Sequence, residues 1–138
     1  MIAYVDSSAL LRVILGQRDQ LAEWGQISGA VVSTLVEVEC LRTLDRLRLK
    51  EGLASEVMAA RREAVYQVLE EATLVEITRP VLSRASQPLP APLGTLDAIH
   101  LATALIWAES HDPGMVMATH DASLALAARA SGLRVIGT

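Results

Sequence analysis

Short apolar runs alternate with longer amphipathic stretches along the whole chain. The runs have the length of buried strands and lie at 2–5, 30–33, 73–77, 115–118 and 134–136. The stretches between them show helical spacing of apolar residues and predict helices at 7–15, 17–27, 34–49, 52–71, 80–86, 95–109 and 122–130. Strands alternating with helices predict an α/β fold, a three-layer α/β/α sandwich with a mostly parallel central sheet.

The predicted helix at 34–49 has a regular apolar pattern. Every third position is apolar, at Leu35, Val38, Leu41, Leu44 and Leu47. This stripe predicts one helix face packed on the sheet. Thr34 and Glu37 match the S/T-x-x-E capping box, which predicts a reciprocally capped start for the helix.

Length and composition predict one globular domain at 1–138. Hydrophobic residues make up 51% of the chain and aromatic residues only 3%, so the core must be aliphatic. A single cysteine, Cys40, excludes an intrachain disulfide and favours a reducing compartment. Neither a secretory leader nor a membrane span is visible, and we expect a cytoplasmic protein without membrane contact.

The charge balance permits RNA binding without indicating it. The formal net charge is -4, from 16 acids and 12 bases. When four acids singled out below are set aside, the remaining acids and bases are equal in number. Eleven of the bases are arginines, whose planar guanidinium is a good bidentate phosphate ligand.

Four acids stand where a predicted strand ends or a predicted helix begins. They are Asp6, Glu39, Asp97 and Asp121. In an open α/β sheet, ligands bind beyond the carboxyl ends of the strands, so acids dispersed along the chain can converge there. Clustered carboxylates repel each other unless a divalent cation lies between them, and Mg²⁺ or Mn²⁺ prefers such hard oxygen ligands.

Each acid also has a purely structural explanation. Asp6 and Asp121 stand at strand-to-helix junctions, where an aspartate can cap the helix. Asp97 lies in a first helical turn, where the helix dipole favours any acid. Glu39 lies inside its helix and could pair with Arg42 three residues on.

Further polar residues are weaker candidates. His100, three residues after Asp97, is expected to be a hydrogen-bonded packing residue, while His111 and His120 are expected to face water. Thr119 could orient a metal-bound water or close its strand. A basic run is expected to form a solvated helix face, with phosphate contact as the alternative: Arg42, Arg46, Arg48 and Lys50.

The chain resembles a known family, the PIN-domain ribonucleases, and within it the VapC-type toxins of bacterial toxin-antitoxin pairs. The resemblance spans nearly the whole chain. It rests on the following segments in this order: Tyr4-Val5-Asp6-Ser7-Ser8-Ala9-Leu10, Ser33 followed by Val38-Glu39-Cys40-Leu41-Arg42, Thr95-Leu96-Asp97-Ala98-Ile99-His100-Leu101-Ala102-Thr103-Ala104, and Thr119-His120-Asp121. The order and spacing of the segments carry the match.

The resemblance implies a Mg²⁺- or Mn²⁺-dependent endoribonuclease that hydrolyses RNA with a metal-activated water. It assigns the catalytic and metal-binding roles to Asp6, Glu39, Asp97 and Asp121. It selects Glu39 over Glu37 because the family's glutamate stands three residues before an arginine, here Arg42. Thr119, Ser7 and Arg42 are the candidate supporting residues.

The resemblance also implies partners. These are a second copy of the chain in a homodimer, a cognate antitoxin whose tail covers the acidic pocket, often with a basic side chain, and a structured RNA of the transfer RNA or ribosomal RNA class. A catalytically silent PIN-like module that docks RNA or a protein is the main alternative. An aspartate-phosphorylated domain would need a lysine near the phosphoryl group, and the only lysine, Lys50, lies in the basic run.

Overall fold

The computed structural model describes residues 1–138, which form five strands and six α-helices. The elements follow in the order β1 Ile2–Val5, α1 Ser7–Ile14, a short 3₁₀ turn Trp24–Gln26, β2 Gly29–Ser33, α2 Leu35–Glu51, α3 Ser55–Glu71, β3 Thr73–Val75, α4 Arg79–Ala85, α5 Thr95–Ser110, β4 Val116–Ala118, α6 Ala122–Ala130 and β5 Arg134–Ile136. No helix is both long enough and apolar enough to cross a bilayer.

All strands are parallel and lie in the order β3-β2-β1-β4-β5. The chain builds outward from the central β1 to β2 and β3, and then returns to the other side of β1 for β4 and β5. The strand order therefore reverses between β1 and β4. In open α/β sheets the crevice at such a reversal, beyond the strand ends, is where ligands bind.

Alternation along the strands divides the core into two layers. Ala3 and Val5 pack with α1, α2 and α3, whereas Tyr4 faces the opposite layer, built from α5 and α6. The same alternation separates Val32 from Val31 in the neighbouring strand. The three-layer α/β/α prediction is confirmed, and the sheet is entirely parallel.

The prediction of a helix at 17–27 is wrong. The structure has turns there and a single 3₁₀ turn at Trp24–Gln26. Leu21 is buried and Trp24 and Ile27 pack against the core, so the apolar residues point inward as expected. Their spacing of three fits the 3₁₀ period as well as an α-helix. Gly16, at a positive φ of 63°, follows the end of α1.

The predicted stripe on α2 is also partly wrong. The buried residues are Val36, Cys40 and Leu44, whereas Val38 is 59% exposed. Successive residues turn by about 100°, so each step of three falls short of a full turn by about 60° and the predicted stripe winds around the helix. Steps of four drift less, and those positions form the buried face.

The capping box predicted from Thr34 and Glu37 does not form. Thr34 already has helical backbone angles, and its side chain makes no capping hydrogen bond. A side-chain N-cap normally needs an extended backbone. The hydroxyl of Ser33 instead accepts a hydrogen bond from the backbone N–H of Leu35, at 3.1 Å.

Two glycines with similar positive φ angles allow a matched stability test. A Cβ at Gly137 (φ 100°) would lie 2.5 Å from the carbonyl oxygen of Thr119, whereas a Cβ at Gly132 (φ 94°) would meet nothing within 4 Å. A non-glycine residue at such a positive φ costs about 1–3 kcal/mol at either position, and at position 137 the collision adds to this cost. We expect Gly137→Ala to lower the free energy of unfolding, measured in urea, by more than Gly132→Ala does. Equal losses would contradict the predicted collision.

Candidate active site

The site lies where β1 and β4 end side by side. Val5 and Ala118 are register partners, and the backbone N–H of Asp6 donates to the carbonyl of Ala118 at 3.2 Å. This pairing brings Asp6, which follows β1, next to Thr119, which follows β4. The strand order reverses at this point, so the first acid lies at the position where an open sheet binds ligands.

The carboxylate of Asp6 is bound entirely by neutral donors. One oxygen, Oδ1, accepts from the Ser8 hydroxyl at 2.7 Å and from the Ala9 backbone N–H at 2.9 Å. The other, Oδ2, accepts from the Thr119 hydroxyl at 2.5 Å. Asp6 is only 3% exposed and has no arginine or lysine partner. Its charge is therefore solvated by the protein but not neutralised.

Asp121 is tied to Asp6 through Thr119. The Thr119 hydroxyl, which donates to Asp6, accepts from the Asp121 backbone N–H at 3.0 Å. Oδ1 of Asp121 accepts from the Leu124 N–H at 2.8 Å. The structural explanation predicted for Asp6 and Asp121 is thus correct, because both cap helices. Capping occupies Oδ1 of Asp121 and leaves Oδ2 without a protein partner.

Glu39 reaches the site through a histidine. Its Oε1 lies 2.5 Å from Nε2 of His100, and Nδ1 of His100 lies 2.6 Å from the Tyr4 hydroxyl. The proposed pair with Arg42 is wrong, since Arg42 contacts Asp45 at 3.3 Å. Glu37, two residues before Glu39, is exposed. The structure therefore separates the two glutamates, and only Glu39 contacts a buried residue of the opposite layer.

The pKa of Asp97 indicates that the other three acids lie near it. Burial raises the pKa of Asp97 above its ordinary value, and the charge of Asp121 raises it further. The charges of Asp6 and Glu39 act in the same direction, while His100 opposes them. Like charges disfavour ionisation of a neighbouring acid. Asp97 therefore interacts electrostatically with each of the other three predicted site acids.

Some supporting residues differ from the prediction. Ser7 makes no side-chain hydrogen bond, and its neighbour Ser8 contacts Asp6 instead. His120 does not face water, because its Nδ1 hydrogen bonds to the Gly137 carbonyl at 2.7 Å and its Nε2 is buried without a partner. His100 is the hydrogen-bonded packing residue that was predicted. Burial raises the pKa of Cys40 to about 12, which leaves it a protonated core thiol.

Sequence comparison identifies the family. A family model of the PIN domain matches residues 3–138. The chain belongs to the PIN-domain family.

This PIN domain is similar to named relatives. It is 37% identical to Ribonuclease VapC35 of Mycobacterium tuberculosis over 139 residues, covering 96% of this chain and 94% of the relative. It is 33% identical to Ribonuclease VapC47 of the same organism over 108 residues, 73% of each protein. The fold is similar to a chain of a toxin-antitoxin complex from Klebsiella pneumoniae, with a TM-score of 0.63, 16% identity and 89% coverage of both chains. These relatives place the PIN domain among VapC-type proteins.

The donor set of this PIN domain fits a hard divalent cation. Its four acids supply only carboxylate oxygens, the ligands that Mg²⁺ and Mn²⁺ prefer, and no basic side chain neutralises Asp6, Asp97 or Asp121. In this conformation no three acidic, histidine or cysteine side chains converge closely enough to coordinate one ion. Hydrogen-bond donors hold Asp6, Asp121 and Glu39 instead.

The raised pKa of Asp97 predicts a pH-dependent effect on stability. Between the unfolded and the folded pKa the native state binds more protons than the unfolded state, so the stability contributed by Asp97 falls as pH rises through that window. We expect Asp97→Asn to raise the Tm at pH 7 in a metal-free buffer. The gain over the unsubstituted protein should shrink as pH falls towards the pKa of an unfolded aspartate.

Asp45→Asn is the matched control. Hydrogen bonding to Arg48 lowers the pKa of Asp45, so its ionised form favours the folded state. This variant should not gain Tm at pH 7. An Asp97→Asn variant that loses Tm at neutral pH would show that burial and neighbouring negative charge do not destabilise the ionised Asp97 in the folded protein.

Proposed function

We propose that this chain is a Mg²⁺- or Mn²⁺-dependent endoribonuclease and the toxin of a toxin-antitoxin pair, acting in the cytoplasm. The observation that carries the proposal is the group of four acids at the reversal in strand order, three of them without a basic partner. The relatives named Ribonuclease VapC and the fold of a toxin-antitoxin complex support the same activity.

Each acid has a proposed role. Asp6 and Asp97 would be the principal ligands of the cation, while Asp121 and Glu39 would complete its shell or hold waters. A bound divalent cation supplies a lowered pKa for a water and neutralises charge on the phosphoryl oxygen. Thr119 and Ser8, rather than Ser7, keep the carboxylate of Asp6 in place through their hydroxyls.

An exposed part of α2 could bind the RNA backbone. Arg46 and Lys50 follow Glu39 by seven and eleven residues, which places all three on one side of the helix at about 100° per residue. Both are exposed, and neither has an acidic partner. One turn separates the two cations by about 6 Å along the axis. Such unpaired cations can contact successive phosphates, whereas Arg42 and Arg48 share Asp45.

The partners follow from the resemblance and from these charges. We propose a structured RNA of the transfer RNA or ribosomal RNA class as substrate and a cognate antitoxin as inhibitor. A basic side chain from the antitoxin would neutralise the acidic site in place of a cation. A homodimer completes the proposed assembly.

The decisive experiment is RNA cleavage by purified protein freed of antitoxin. We expect cleavage with Mg²⁺ or Mn²⁺ and none with EDTA. Asp6→Asn and Asp97→Asn should each abolish cleavage, because an amide is a poorer ligand for a divalent cation than a carboxylate. Asn at position 6 can still cap α1, so the fold should persist, which circular dichroism would check.

Glu39→Gln and Glu37→Gln form the control pair on one helix. We expect the first to lower cleavage and the second to leave it unchanged, since Glu37 is exposed and outside the site. RNA that is bound but never cut, with either metal, would instead support the alternative of a catalytically silent docking module.

The proposed phosphate contacts predict a change in salt dependence. We expect an Arg46→Glu/Lys50→Glu variant to bind RNA more weakly at low salt. The log of the RNA-binding constant falls as the log of the salt concentration rises, and each lost contact should make this slope shallower by about 0.7 to 0.9. Arg134→Glu, on β5 and far along the chain from α2, is the control. An unchanged slope in the double variant would place the RNA elsewhere.

A further inference from the structure

Three side chains from three elements form one buried hydrogen-bonded chain. Tyr4 comes from β1, His100 from α5 and Glu39 from α2. Tyr4 is fully buried and His100 is 1% exposed, while the Glu39 side chain is 17% exposed at the edge of the site. The Tyr4 hydroxyl lies 2.6 Å from Nδ1 of His100, and Nε2 of His100 lies 2.5 Å from Oε1 of Glu39.

The direction of the hydrogen bonds follows from what each group can donate. An ionised glutamate only accepts, so Nε2 of His100 carries a proton and donates to Glu39. Nδ1 of His100 hydrogen bonds with the Tyr4 hydroxyl, which donates to a neutral imidazole and accepts from a protonated one. This assignment, made from the network, leaves none of the three groups without a partner. It also leaves Oε2 of Glu39 without a protein partner.

The hydrogen-bonded chain of Tyr4, His100 and Glu39 connects the two helical layers at the site. Two of its members lie close in sequence to a site acid, because Tyr4 on β1 precedes Asp6 by two residues and His100 follows Asp97 by about one turn of α5. Glu39 belongs to α2, whose buried face packs in the opposite layer. The hydrogen bond to His100 therefore fixes Glu39 relative to the elements that carry Asp6 and Asp97.

A packing role alone does not account for this arrangement. Glu39 has an arginine available three residues on, yet Arg42 pairs with Asp45, and Glu39 instead contacts a histidine that is 1% exposed. The hydrogen bond between Tyr4 and Nδ1 of His100 holds Nε2 of His100 against Oε1 of Glu39.

We propose that His100, oriented by Tyr4, is a positioning residue that sets the direction of the Glu39 carboxylate and leaves Oε2 available to the site. The position of Glu39 is a property of the fold. The consequence for cation affinity rests on the proposed function.

Metal-free crystal structures test the position directly. In a Tyr4→Phe/His100→Met variant the donor is removed without leaving a phenol unpaired, and we expect the Glu39 carboxylate to leave its position. His100→Gln keeps an N–H at the reach of Nε2 and should retain that position. A Glu39 side chain that stays in place in the double variant would overturn the proposal.

Affinity for Mn²⁺, measured by electron paramagnetic resonance, tests the consequence. Changes to a residue that orients a ligand typically cost about 10–100-fold in metal affinity. We expect Tyr4→Phe/His100→Met to weaken Mn²⁺ binding by that factor, and to have no further effect when Glu39→Gln is already present. An equal loss in both backgrounds would show that the pair acts through the fold, and would overturn the proposal.

A control variant and a comparison of the two measurements separate the possible failures. His111→Gln, at the exposed end of α5, should change neither the Glu39 position nor Mn²⁺ affinity. If Glu39 moves in the double variant while Glu39→Gln has no effect on Mn²⁺ affinity, the positioning role is supported and the proposed role of Glu39 at a cation fails. Unfolding curves of every variant confirm that the compared proteins are folded.

Discussion

The site depends on one constraint: carboxylates near the reversal in strand order are held by hydroxyl, backbone N–H and imidazole donors rather than by arginine or lysine. Hydroxyls and a backbone N–H bind Asp6, a helix N-terminus binds Asp121, and an imidazole binds Glu39. Such donors stabilise each negative charge without cancelling it. The charges therefore act on one another, and they add to burial, the larger cause, in raising the pKa of Asp97. Such uncancelled negative charge lowers the stability of the fold and favours the binding of a cation.

The fold places these donors through very short connections. Asp6 begins its helix one residue after β1 ends, so the aspartate at the strand end is also the cap of α1. The connection after β4 is similarly short, and Thr119 and Asp121 lie within three residues of the strand end. Because β1 and β4 are register partners, Thr119 can donate to Asp6 and accept from Asp121 at once. Two of the four candidate site acids, Asp6 and Asp121, are therefore also helix caps.

Local sequence patterns predicted the parts of the fold that depend on local chemistry. The strands and most helices were visible from apolar runs and spacing, and the caps at Asp6 and Asp121 from their junctions. Failures arose where a spacing of three fits more than one structure, as at 17–27 and on α2. The partners of Glu39 and Asp6 needed tertiary structure, since 61 residues separate Glu39 from His100 and 113 separate Asp6 from Thr119. Nothing in the sequence distinguishes Ser8 from Ser7 as the partner of Asp6.

The need for a positioning histidine follows from the differences among the four acids. Asp6 and Asp121 have short side chains fixed by backbone N–H groups at helix starts, and Asp97 has a short side chain in a first turn. Glu39 has a longer side chain inside a helix, where every neighbouring N–H is already used, and fixing such a side chain costs more rotamer entropy. No backbone cap is available to it. A side-chain donor is the remaining means of fixing its direction. Arg42 on the same helix pairs with Asp45, and His100, held by Tyr4, is the donor that Glu39 has.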